Sequence, residues 1–150
     1  MKFAHTNIIS SNWKVLADFY IQTFDCKIVP PIRKQSGPWL DNGTGVKNAE
    51  LEGAHLLLPG HGEHGPTLEI YQYKHIENQP TVMPNTKGFG HIAFEVDSVE
   101  SVVKKLLQHG GTTFGNITKR AINGVGEITF IYARDPEGNL VEIQSWSTLV

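Results

Sequence analysis

The chain has 150 residues, 39% of them hydrophobic and 19% charged, with a formal net charge of -2. That length and balance suit one ordinary globular domain and exclude disordered and collagen-like classes. With no basic excess to meet a phosphate backbone, nucleic acid is not expected as a partner.

The amino terminus, MKFAHTNIISSNWK, lacks the apolar core of a signal peptide, and no apolar run approaches the ~20 residues needed to span a bilayer. The single cysteine, Cys26, permits no intrachain disulfide and fits a reducing compartment. These features predict a cytoplasmic protein without a membrane partner.

The first element expected is a short strand at AHTNI, followed by a polar cap at Ser11 or Asn12. Trp13, Leu16, Ala17 and Tyr20 then recur at helical spacing. A second strand is expected at about 26–32, with Cys26 buried, and a third at about 49–58. Between them RKQSGPWLDNGTGVKN, residues 33–48, reads as a Gly, Pro and Asn-rich loop. Trp39 in that loop is a candidate substrate contact, an apolar ring on a segment able to close over a ligand.

A turn at 59–65 contains HGEHG, read as solvated, and leads into the strand TLEIYQY, Thr67 to Tyr73. His55, His75 and His109 are read as structural or exposed. The stretch 74–87, with Pro80 and Pro84, reads as an irregular link. FGHIAFEVDSVE then predicts a strand feeding a helix capped by Asp97 or Ser98. The apolar stripe of that helix is Val99, Val102, Val103, Leu106 and Leu107, and its stop is Gly110-Gly111. A hairpin turn at Asp135 to Asn139 introduces the closing strand NLVEIQSW.

The second half echoes the first. FAHTNIISSNWKVLADFY resembles FGHIAFEVDSVESVVKKL, and TLEIYQY resembles NLVEIQSW, which makes His5 the equivalent of His91 and Glu69 that of Glu142. The histidines lie 86 positions apart and the glutamates 73, so the first copy is longer by 13, a surplus that the 33–48 loop accommodates. Each copy reads as strand, helix and three strands. The fold class predicted is α+β, with paired βαβββ modules at 1–73 and 88–150 forming a curved sheet around a central cavity within a single domain.

Side chains alternate along a strand, so Glu69 shares a face with Thr67, Tyr71 and Tyr73, and His91 with Ala93 and Glu95. If both modules curve around one cavity, two imidazoles and two carboxylates meet there. One histidine on an apolar strand is most simply a hydrogen-bonded structural residue. Two at equivalent positions, each with a glutamate inside a half-apolar strand, point instead to a shared divalent cation. Mixed imidazole and carboxylate donors suit Zn, Ni, Co, Fe or Mn better than calcium. An ion of that kind would act as a Lewis acid on an enediolate-forming substrate, with Glu142 or Glu69 moving the proton. Tyr71, Glu95, Tyr132 and Gln144 are further candidates for substrate contact.

These residues resemble the vicinal oxygen chelate superfamily, which includes glyoxalase I, methylmalonyl-CoA epimerase, fosfomycin-resistance enzymes, extradiol dioxygenases and bleomycin-resistance proteins. The resemblance spans essentially the whole chain and rests on AHTNI, GHIAFEVDSVE and the closing DPEGNLVEIQ. It implies that His5, Glu69, His91 and Glu142 occupy the four metal-site strands. A glutamate at position 69 looks like glyoxalase I, whereas the three-ligand members match only His5, His91 and Glu142. The arginine that holds glutathione in bacterial glyoxalase I has no counterpart at Asn7, Ile8 or Ile9.

The resemblance therefore implies a metal-dependent lyase or isomerase, glyoxalase I-like, acting by proton transfer on a small carbonyl or hydroxyacid-type compound. The alternatives it leaves are a dioxygenase or a fosfomycin-type thiol transferase, and a non-catalytic drug- or metabolite-binding protein of bleomycin-resistance type. It also implies a homodimer, with the site within one chain or shared between two.

Overall fold

The computed structural model describes residues 1–78 and 80–148. Position 79, within the expected link, and positions 149 and 150, at the end of the expected second module, lie outside the described residues. The chain divides into two units, Met1–Gln79 and Pro80–Val150. Among the described residues no helix is long and apolar enough to cross a membrane.

The first unit runs β1 (His5–Ile9), α1 (Trp13–Phe24), β2 (Lys27–Ser36), α2 (Pro38–Thr44), β3 (Glu50–Leu57) and β4 (Thr67–Tyr73). Its sheet has the order β1-β4-β3-β2, with β1 parallel to β4 and the other pairs antiparallel. Asn12 caps α1, its side chain accepting from the Val15 amide at 3.3 Å, and Ser10 Oγ in turn accepts from the Asn12 amide at 3.0 Å. Trp13, Leu16, Ala17, Phe19, Tyr20 and Phe24 are buried along the helix. They lie over the sheet face that carries Ala54, Leu56, Leu68 and Ile70, all essentially inaccessible. Burying side chains of this size contributes roughly 1.5–3 kcal/mol each. The helix stops where Asp25 takes a left-handed conformation, φ 57°, and the Cys26 amide donates back to the Tyr20 carbonyl.

The expected 33–48 loop is corrected here: β2 continues to Ser36, and α2 occupies 38–44. The strand passes through Pro30 and Pro31 because it is an edge, where a missing N–H removes no ladder bond, and its register with β3 shifts between Val29 and Arg33. Pro38 suits the first position of α2, whose amide would have no partner in any case. The Asp41 carboxylate accepts from the amides of Asn48 and Ala49, both at 2.8 Å, and pins the segment to β3. Leu40, with Ala49, Leu51 and Tyr71, makes a small second core on the sheet face away from α1.

The second unit runs β5 (Ile92–Glu95), α3 (Val99–Gln108), β6 (Thr112–Thr113), β7 (Thr118–Ile122), β8 (Gly126–Arg134) and β9 (Leu140–Ser147). The order β5-β9-β8-β6 repeats that of the first sheet, again with a parallel outer pair, β5 and β9. The single strand expected after the helix is two, β6 and β7, both paired to β8. Ser98, of the two candidates, caps α3 by accepting from the Ser101 amide at 3.2 Å. Val99 and Leu106 are buried, whereas Leu107 is 52% exposed and lies off the packed stripe, contrary to expectation.

The DPEGN turn closes as its sequence requires. Asp135, 3% exposed, accepts from the amides of Glu137 and Asn139 at 2.9 Å and from Asn139 Nδ2 at 2.8 Å, while Gly138 takes φ 89°.

Cys26 is 2% exposed, and burial, with Asp25 adding repulsion, pushes its thiol up to about 12. It should be inert to Ellman's reagent at pH 8 in the native protein and react fully in urea. Because its folded pKa lies above the unfolded value, the stabilisation it reflects is complete below about pH 9 and is lost as pH rises toward 12. Urea midpoints measured across pH 8–11 should fall accordingly.

Gly53 pairs with Tyr71, and a Cβ there would overlap the Ile70 carbonyl oxygen and meet Tyr71 Cδ1 at 2.5 Å. Gly53→Ala should therefore destabilise by roughly 1–3 kcal/mol, the usual cost of overpacking, as read by urea unfolding.

Candidate functional site

In each unit, the parallel pairing of first and last strand decides which side chains meet. Asn7 lies opposite Glu69, and Ala93 lies opposite Glu142. The histidine stands two residues before that partner in both cases, and so on the same sheet face as the glutamate, the face away from the helix.

In the first unit His5 Nδ1 is 3.4 Å from Glu69 Oε1. In the second, His91 Nε2 is 2.9 Å from Glu142 Oε2. The structure thus brings together each predicted histidine and glutamate of a copy. Both glutamate side chains are nearly enclosed, 11% exposed at Glu69 and 14% at Glu142, while the imidazoles remain partly open, 46% at His5 and 30% at His91.

The cluster around Glu69 is larger than the sequence reading anticipates. His55, read as structural or exposed, lies opposite Glu69 in the β3–β4 ladder, with Nε2 3.0 Å from Glu69 Oε1. Tyr71 Oη lies 2.7 Å from the same His55 nitrogen, Thr67 Oγ1 is 3.4 Å from Nδ1, and Asn7 Nδ2 donates to Glu69 Oε2 at 3.5 Å. The signal that would have found His55 is cross-strand register, which a nine-residue connection between β3 and β4 hides from sequence inspection. Burial holds the His55 imidazole below its usual range, opposed by the Glu69 charge and reinforced by Arg33 and His5. Burial and then Glu69 hold the Tyr71 phenol above its own.

Tyr71, predicted as a substrate contact, is thus buried and engaged with His55. Tyr132 lies opposite Glu142, its ring 4.8 Å from that of His91, and burial followed by the Glu142 charge raises its phenol. Gln144 and Glu95 pair with each other one step further along β9 and β5, on the Glu142 face. Trp39 stands 61% exposed on α2, and it is its neighbour Leu40 that joins the buried cluster with Ala49, Leu51 and Tyr71.

Imidazole nitrogen and carboxylate oxygen are suitable donors for a borderline divalent ion. In each pair a ring nitrogen faces a carboxylate oxygen, and a hydrogen on that nitrogen would have to leave for a cation to bind there. Among the described residues, no three His, Cys, Asp or Glu side chains are arranged to hold a metal ion, so the fit lies in the donor pair each unit offers.

Comparison with known proteins agrees with this architecture. A structure of a glyoxalase family protein from Bacillus cereus superposes with a TM-score of 0.76 at 18% identity, covering 97% of this chain and 93% of that one. The structure of Virulence protein STM3117 from Salmonella typhimurium gives 0.56 at 22% identity, over 98% of both chains. At such identities the likeness is one of fold. In sequence, that virulence protein is 31% identical over 80 residues, and this chain spans about half of it, 54%, using 53% of its own length. The sequence model of the Glyoxalase/Bleomycin resistance protein/Dioxygenase superfamily matches residues 2–143, and the chain belongs to that superfamily.

Proposed function

We propose that this protein is a metal-dependent, glyoxalase I-like lyase or isomerase that moves a proton on a small carbonyl or hydroxyacid-type substrate. In this reading His5, Glu69, His91 and Glu142 are the ligands of a divalent transition ion. The single observation that carries it is the duplicated His–Glu pair, built at the same strand register in both units. The ion supplies Lewis-acid stabilisation of negative charge developing on a substrate oxygen.

The two glutamates divide the remaining work. Glu69 is held by His55 at 3.0 Å, His5 at 3.4 Å and Asn7 at 3.5 Å, which suits a fixed anchor. Glu142 pairs with His91 and stands beside the Tyr132 ring, and it is the carboxylate better placed to take a proton from carbon and return it. Tyr132 and Gln144, on the same face as Glu142, orient the substrate oxygens.

Elemental analysis of gently purified protein, or Co²⁺ titration of the metal-free chain, should find one ion per chain. His91→Ala, Glu142→Gln and Glu69→Gln should each weaken it. Absence of binding on reconstitution would sink the reading. Retention of the ion by Glu69→Gln alone would make the site a three-donor one and move the chemistry to oxygen or thiol transfer. With a panel of α-hydroxycarbonyl compounds in D₂O, the holoprotein should wash deuterium into the exchanging C–H. Glu142→Gln should slow that exchange by about 10²–10⁴-fold.

A further inference from the structure

His55 belongs to neither proposed ligand pair, yet its side chain is the most enclosed of the three histidines on these faces, 20% exposed against 46% for His5 and 30% for His91. Three groups place oxygens within 3.4 Å of its ring nitrogens, from alternate positions of β4: Thr67, Glu69 and Tyr71. A neutral imidazole has one N–H and one lone pair. An ionised carboxylate has no hydrogen to give, so the Glu69 oxygen 3.0 Å from Nε2 requires the ring hydrogen there. Nε2–H is then shared between Glu69 Oε1 and Tyr71 Oη at 2.7 Å, and Nδ1 accepts from Thr67 Oγ1 at 3.4 Å. One tautomer satisfies every neighbour.

The second unit has no such arrangement. The position opposite Glu142 is Tyr132, and the equivalent of Tyr71 is Gln144. The brace therefore exists on one glutamate only.

We propose that His55 is a positioning residue that fixes the Glu69 carboxylate through Nε2–H, with Tyr71 and Thr67 fixing the ring in turn. The consequence for metal binding rests on the four-donor reading above. A glutamate side chain free to rotate loses conformational entropy when it binds an ion, and a brace already in place removes that loss. Partners of this kind typically change metal affinity by 10–100-fold when removed.

The test uses the full chain and Co²⁺ as probe. His55→Ala should weaken Co²⁺ binding on the order of 10–100-fold. His55→Gln, whose amide can donate to Oε1, should recover most of that loss, and thermal melts should show both variants folded. Independently of any metal, ¹⁵N imidazole spectra of the metal-free protein should show His55 as the Nε2–H tautomer, its signal shifting in Glu69→Ala. If His55→Ala binds Co²⁺ as the parent does while Glu69→Ala does not, the brace is overturned and the four-donor reading stands. An Nδ1–H tautomer overturns the brace as well. If the parent itself fails to bind Co²⁺ but the His55 signal still responds to Glu69→Ala, the metal reading falls and the brace is supported.

Discussion

The parallel pairing of the first and last strands of each unit is the constraint from which the rest follows. In a parallel ladder, a residue on β1 stays on the same face as its partner on β4, so the alternation of the two strands locks together. Once Ile8 and Ile70 turn toward α1, Asn7 and Glu69 must turn the other way, and His5 with them. The same logic on β5 and β9 buries Phe94 and Ile143 and turns His91 and Glu142 to the opposite face. The polar face of each sheet is therefore a consequence of how its apolar face packs. Slipping β1 by one residue would put an apolar side chain beside Glu69 and His5 toward the helix.

Much of this could be read in the chain. The repeat of FAHTNI in FGHIAF, the echo of TLEIYQY in NLVEIQSW and the spacing of Leu16 and Tyr20 describe local patterns, and local patterns survive in one dimension. The capping residues narrowed to two candidates in each helix, and backbone geometry selected Asn12 and Ser98. What the pattern could not reveal is pairing across a connection. His55 faces Glu69 only because the β3–β4 ladder closes in one register, and nothing in HGEHGP announces that register. The helix α2 was obscured for another reason: its stability comes from Leu40 packing in the cluster with Ala49, Leu51 and Tyr71 and from Asp41 binding two distant amides, since Gly43 and Asn42 contribute little helical propensity.

The two halves are alike in ladder and unlike in chemistry. Opposite the glutamate stands an imidazole in the first unit and a phenol in the second; the next residue along is Gly53 in one and Phe130 in the other. Gly53 allows Tyr71 to lie across its strand and reach His55, whereas Phe130 sets its ring edge-on to Tyr132, 6.1 Å between centroids. One unit thus sets two imidazoles and an amide about its carboxylate, and the other a single imidazole, with the Tyr132 phenol opposite. A duplicated scaffold has been given two different environments for the same acid, the means by which identical groups acquire different duties.

Such an arrangement is not what stability alone would select. Withdrawing a carboxylate from water carries a desolvation cost that a neighbouring donor offsets only in part. Each sheet here already has an apolar face sufficient to hold its helix, with Leu56, Leu68 and Ile70 in one and Ile131, Val141 and Ile143 in the other. The opposite face had the freedom to be polar and open, as antiparallel sheets commonly are, or apolar and closed. It is neither: Glu69 and Glu142 are sunk among rings while their histidines keep an edge toward solvent. Each unit thus sets a carboxylate withdrawn from water beside a more accessible imidazole, at a cost that its folding does not require.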